Sequence, residues 1–226
     1  MPETQSLLGA LQFADSFFPS GSIAFSWGLE TLRADGEIVS AEQVAQFLEG
    51  QLAHRWATFD APVLVAAMRA DGRFERLADL DDLVEAMTLA TELREGSRRA
   101  GVSLLKVHAG LGTPGAAGYR QVIAERKARG HLPVVQGLLW NATGLSEEAC
   151  RAVSAHTLCT GIVGAALRLG MIGYLDAQKI LLQVRPVLVD LLQLPAGQTD
   201  DLYAYTPHAE IAAMRHEVQD ARLFAN

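Results

Sequence analysis

A few groups of residues have the types and spacing to do chemistry. Ala24-Phe25-Ser26-Trp27-Gly28 stands one residue away from the G-x-S-x-G pattern of a serine nucleophile. That serine works only where a strand leads into its turn and a histidine and an acid complete a triad. A helical stretch, GLETLRADGE, overlaps and follows it, but no alternating pattern precedes it. Gly110-Leu-Gly112-Thr-Pro-Gly115 spells the dinucleotide-binding fingerprint. The fingerprint requires a preceding strand and an acid about 20 residues on. Here EGSRRAGVSLLKVHA reads as helix and no acid lies between Arg129 and Val135, so the glycines are an interhelical loop. Cys150, His156 and Cys159 are soft metal ligands on one expected helix, with His156 and Cys159 three apart on one face and no further ligand at suitable spacing. Two alternatives follow from these residues: a helical hydrolase using Ser26, and a metal-storage protein using the two cysteines and His156.

Charged clusters complete the set. Arg94, Arg98 and Arg99 follow Glu92 and Glu95 at three- and four-residue spacing, the pattern of a solvated helix laced with weak ion pairs. A second cluster, Arg215, His216, Glu217 and Arg222, closes the chain in MRHEVQDARLF. Neither surrounds a reactive group.

The elements that must position these residues are helices. Leu80, Leu83, Val84, Met87 and Ala90 keep amphipathic spacing after DLDD, read as an acidic helix start; Leu181, Val184, Leu188 and Leu191 repeat it, as do Ile211, Met214, Val218 and Ala221. Ser40 with Gln43 makes a capping box for a helix toward Thr58. Ser146 before Glu147 and Glu148 caps a helix toward Leu169. Thr206-Pro207 opens the last helix, assigned to 207–224, and Pro186 lies inside the one before it. Turn residues at 19–22, 70–75, 110–118, 141–144 and 194–201 separate the segments. No run alternates long enough to be a strand. The expectation is an all-α protein: a single compact helical domain of about eight to ten helices over 1–226, with 1–6 mobile.

Composition narrows the function. A formal net charge of -7 in 226 residues argues against a nucleic-acid partner, which needs a basic face. The longest uncharged apolar run, Ala155–Leu167, is shorter than the ~20 residues that span a bilayer, and no secretory signal opens the chain. Cys150 and Cys159, roughly 13 Å apart along a helix, are beyond disulfide reach, and free thiols fit a cytoplasmic location. Half of the residues are hydrophobic, a share that points to apolar surface covered by a partner.

Five blocks carry a resemblance. LQFADSFFPSGSIAFSWGLE resembles the opening motif of the urease accessory protein F family, and TELREGSRRAGVSLL, HLPVVQG, AALRLGMIGYLDAQKIL and TPHAEIAAMRHEVQDARLFAN resemble its later motifs, in the family's order. The matches span roughly residues 8–224. Phe25 stands where relatives often carry His or Tyr, Ser22 where Gly is frequent, and Tyr174 at a site that is often polar. The resemblance implies an all-α, dimeric, cytoplasmic protein without catalytic activity or tightly bound cofactor. Its implied partners are the urease accessory protein D (or H), the GTPase accessory protein G and apo-urease, with nickel passing through the complex rather than resting on this chain. Partner contact is expected from Asp15, Ser20, Gly21, Ser26, Trp27, Gly28 and Glu30 of the first motif. Glu95, Arg98 and Arg99 are expected from the second, Tyr174 and Gln178 from the fourth, and Arg215, His216, Glu217 and Arg222 from the last. Arg98 or Arg99 would be the arginine offered to the GTPase, if one is.

Overall fold

The computed structural model describes residues 3–19, 25–219 and 223–224. Every regular element among them is helical. The α-helices are α1 Glu3–Ala14, α2 Leu29–Ala34, α3 Ala41–Gln51, α4 Ala61–Arg69, α5 Phe74–Met87, α6 Thr91–Gly110, α7 Ala116–Ala124, α8 Leu132–Ala142, α9 Glu147–Arg168, α10 Tyr174–Gln193 and α11 Pro207–His216. A π-helical stretch, Leu52–Asp60, joins α3 to α4 as one continuous rod. The molecule is therefore all-α and single-domain, as the periodicity predicts.

Local chemistry sets the boundaries. The Ser40 hydroxyl accepts from the Gln43 backbone while Gln43 returns a bond to the Ser40 N–H, closing the capping box of α3. Ser146 caps α9 through the Ala149 N–H. Asp15 ends α1: its Oδ1 accepts from the Phe17 N–H at 2.7 Å. Two expectations shift. Helix α1 begins at Glu3, so residues 3–6 are its first turn; residues 1 and 2 lie outside the described residues. Asp79 to Asp82 is the middle of α5, not a helix start, because Asp81 is fully buried and is used as an acceptor.

Two large apolar clusters form the core, with a small third one at Ala90, Leu93 and Ala213. One gathers α1, α4 to α8 and the first turns of α9 around Trp140, Tyr119 and Phe59; the other gathers α2, α3, α10 and the rest of α9 around Trp56, Leu48 and Leu52. The π-helical stretch and α9 run through both, which is why α9 is long and mostly apolar. By length and composition α9 passes for a membrane span, yet 61% of its most apolar window is buried inside the fold. Helices α4 and α8 approach closely at Gly137, where a Cβ would lie 2.6 Å from that of Ala67.

Candidate functional site

Helix α11 returns from the end of the chain to lie on α2 and α6. Its inner face is small: Ala209, Ala212, Ala213 and His216 are buried. Small residues are needed because the α11 backbone sits directly on Gly28. A Cβ at Gly28 would lie 2.6 Å from the Ala209 carbonyl oxygen and 3.1 Å from the Ala212 Cβ. Gly28 also has φ 82, and Trp27 before it has φ 58, so two consecutive left-handed residues turn the chain into α2.

His216 locks this contact. Its ring is fully buried, with Nδ1 at 2.8 and 3.0 Å from the Glu92 carboxylate oxygens and Nε2 at 3.0 Å from Glu30 Oε2. The same Glu30 carboxylate accepts from the Leu223 and Phe224 N–H groups at 2.7 and 3.1 Å. Glu217 accepts from the Glu92 N–H at 3.3 Å, and Arg215 donates both Nη groups to Asp35 at 2.6 and 3.1 Å. The Arg168 guanidinium covers the Phe224 ring at 4.7 Å. These bonds replace helical ones after His216, so α11 ends there instead of running to residue 224. Trp27, Gly28, Glu30, Arg215, His216 and Glu217 are thus brought together. Ser26, beside them, is fully buried. Ser20, Gly21 and Arg222 lie outside the described residues.

The outer face of α11 reverses the sequence expectation. Ile211 and Met214 of α11 and Val218, two residues past its end, whose spacing marks an apolar face, are 54%, 41% and 83% exposed. The core takes the alanine face and leaves this stripe to solvent; Ala221 is outside the described residues.

Along α6, Glu92 is buried against His216 rather than paired with the helix's own arginines. Arg94 and Arg98 reach instead to Glu85 of α5, each at 3.4 Å, and Glu85 also meets His131 Nε2 at 2.9 Å. Arg98 is half-buried; Glu95 and Arg99 are exposed. Asp81, one turn before Glu85, accepts from the Tyr119 hydroxyl at 2.6 Å and from the backbone N–H groups of Arg129, Gly130 and His131 at 3.0, 2.6 and 2.8 Å. Burial, then the Asp81 charge, pushes the Tyr119 phenol well above its ordinary range. Spacing rules miss Asp81, Glu85 and Glu92 because their partners lie on other helices.

Tyr174 and Gln178 belong to another surface. They begin an exposed stripe on α10 that continues through Leu182 and Val189, and α10 packs on α9 and α3. A groove of about 250 Å³ beside it is lined by His156, Cys159, Gln178 and Arg185. Cys150 packs in the other core cluster from Cys159, so the two thiols cannot share an ion. Among the described residues no three His, Cys, Asp or Glu side chains gather to hold a metal. Asp15 is exposed at the end of α1, beside Phe17, which is 93% exposed.

Comparison with known proteins matches this sequence to one family. The UreF family model covers residues 38–185. The urease accessory protein UreF of Trichodesmium erythraeum is 32% identical over 226 residues, covering 97% of this chain and 96% of that protein. The proteins of the same name from Haemophilus influenzae strain Rd and Kocuria rhizophila are each 32% identical, covering 96% and 99% of this chain and 94% and 98% of their own lengths. The chain belongs to the UreF family of urease accessory proteins.

Proposed function

We propose that this protein is a cytoplasmic docking subunit of urease maturation that captures the D/H-type accessory protein and, with it, recruits the G-type GTPase that supplies nickel to apo-urease. It is not an enzyme: it belongs to a family of accessory proteins. The observation that carries the reading is the pair Ile211 and Met214, exposed on a helix whose other face is pinned by His216 between Glu30 and Glu92, with Val218 exposed in the turn that follows. A fixed helix presenting an apolar stripe is a recurring form of partner recognition. Buried members of the motif, Ser26, Gly28, Glu30 and His216, act by positioning α11; exposed ones, with Arg215, act at its rim. The stripe on α10 lies elsewhere and suits a second copy of the chain in a homodimer. A change in GTPase turnover requires that one nucleotide state be bound better than another; Arg99 is exposed on α6 and Arg98 is tethered to Glu85. Nickel is cargo of the complex, and this chain holds no cofactor of its own.

The test is an Ile211→Asp, Met214→Asp double variant, which charges the outer face without touching the buried clamp. Capture of the D/H-type protein should be lost while the circular dichroism of the free chain is unchanged. Retained capture would place the interface elsewhere. Deleting the chain from Thr206 is a poorer test, since it leaves Glu30 and Glu92 facing each other without His216.

A further inference from the structure

A cavity of about 60 Å³ lies where the turn into α2, the π-helical stretch, α6, α8 and α9 meet. One water needs ~10–15 Å³ by the same measure, so the space holds about four water-sized groups. Its walls are mainly apolar and include Phe25, Trp27, Trp56, Leu93 and Leu158. Most of its polar wall groups are engaged with one another. Trp56 Nε1 donates to Ser154 Oγ at 3.2 Å, Ser154 donates to Gln136 Oε1 at 3.2 Å, and Thr157 donates to the Ser154 carbonyl at 2.8 Å.

Arg55 is the exception. It lines the cavity, is 5% exposed, and its buried Nε makes no hydrogen bond among the described residues. The nearby Asp60 Oδ2 stands 3.5 Å from that nitrogen, an ion pair without hydrogen-bond geometry. The guanidinium otherwise faces the Trp27 and Phe59 rings at 5.9 and 5.6 Å. A buried guanidinium nitrogen that makes no hydrogen bond is costly unless something accepts from it. Arg55 sits on a π-helical stretch and Trp27 has φ 58, two irregularities that concentrate at functional sites.

We propose that this cavity binds a small carboxylate, of the size of formate or acetate, through the planar fork of Arg55. Asp60 is the charge the ligand must compete with. Burial holds the Asp60 carboxyl above its ordinary range, with Arg55 pulling it back.

Trp27 and Trp56 in the wall report occupancy by fluorescence. Formate and acetate are titrated into the purified chain at constant ionic strength, with chloride as the control. A saturable change is expected for the carboxylates and none for chloride. Arg55→Gln should weaken binding at least about tenfold, the loss expected for a charged hydrogen bond, and Asp60→Asn should tighten it. Gly161→Leu, at a wall position where an added Cβ meets nothing within 4 Å, should abolish the response while keeping the helical spectrum. It decides the matter if Arg55→Gln does not fold. An equal response to chloride, or saturation unchanged in Gly161→Leu, overturns the proposal. So does a crystal grown in acetate that shows only water against Arg55.

Discussion

Replacing His216 with alanine should release α11 without unfolding the rest of the chain. The ring touches Glu92 and Glu30 at 2.8 to 3.0 Å, and the side chains of the three are 0%, 9% and 13% exposed. Each ring nitrogen faces a carboxylate oxygen at hydrogen-bond distance. Without the ring, each carboxylate loses the nitrogen that faces it, and the volume of the ring is left empty. Hydrogen bonds to charged groups are worth about 1.5–3 kcal/mol each, so losing both costs about 3–5 kcal/mol. The other contacts holding α11 are individually modest: three buried alanine methyls at about 0.8 kcal/mol each, the Arg215–Asp35 pair at about 0–1 kcal/mol because Arg215 is 56% exposed, and hydrogen bonds at Glu217, Gln219, Leu223 and Phe224 at about 1 kcal/mol each. A ten-residue helix does not persist alone in water. The His216 contacts are the largest single contribution, so the docked state gives way before the domain, whose total stability is of order 5–15 kcal/mol. Amide exchange followed by mass spectrometry reads this directly. Exchange over 207–219 should accelerate by roughly two to three and a half orders of magnitude, with 134–140 of α8 unchanged. An acceleration under about fivefold would refute the reasoning, because the clamp would not be what holds the helix.

Three further outcomes are expected. His108, buried against Phe13 and Phe18, has its pKa lowered by burial to about 4. The unfolded ring, near 6.5, takes up its proton first, so this contribution is full above pH 6.5 and is lost as pH falls toward 4. It amounts to about 3 kcal/mol; urea melts of His108→Leu should show a correspondingly smaller loss between pH 7.5 and 4.5 than the parent. Asp81→Ala strips the acceptor from three backbone N–H groups and the Tyr119 hydroxyl, at about 1–3 kcal/mol for each buried group left unmade, so the variant should be largely unfolded at 37 °C by circular dichroism. Tyr119→Phe, which removes one of the four, should remain folded. Burial pushes the Cys150 and Cys159 thiols up to about 12, so neither should react with a disulfide reagent at pH 8 until denaturant is added; rapid labelling of the native chain would contradict their burial.

Much of the fold is legible in the sequence because its signals are local. Ser40 with Gln43, Ser146 with its two glutamates and Thr206 with Pro207 mark helix starts by groups within one turn of each other, and the structure uses each at that position. What is not legible is long-range. Nothing in LAHRWATFD announces a π-helical stretch, since its widened turns answer to how Trp56 and Phe59 pack into two different clusters. Asp79 to Asp82 looks like a helix start because acids favour that end. Asp81 is instead an interior acceptor whose donors lie 38 to 50 residues further on.

The reversed face of α11 shows why the candidate site is only half legible. Apolar periodicity tells that a face will leave water, without telling whether the cover comes from the same chain. On α11 the choice is made by Gly28, whose backbone approaches to where only alanine methyls fit, and by His216, the polar residue that two buried carboxylates require. Ile211, Met214 and Val218 are too large for that contact, so they face outward. The exposed stripe therefore follows from steric demand at Gly28 and charge demand at Glu30 and Glu92, both visible only once α2, α6 and α11 are assembled. A Gly28→Ala variant forces the two backbones apart and should loosen α11 with the outer stripe intact. Loss of partner capture in that variant, alongside faster exchange over 207–219, would show that the stripe works only when held from beneath.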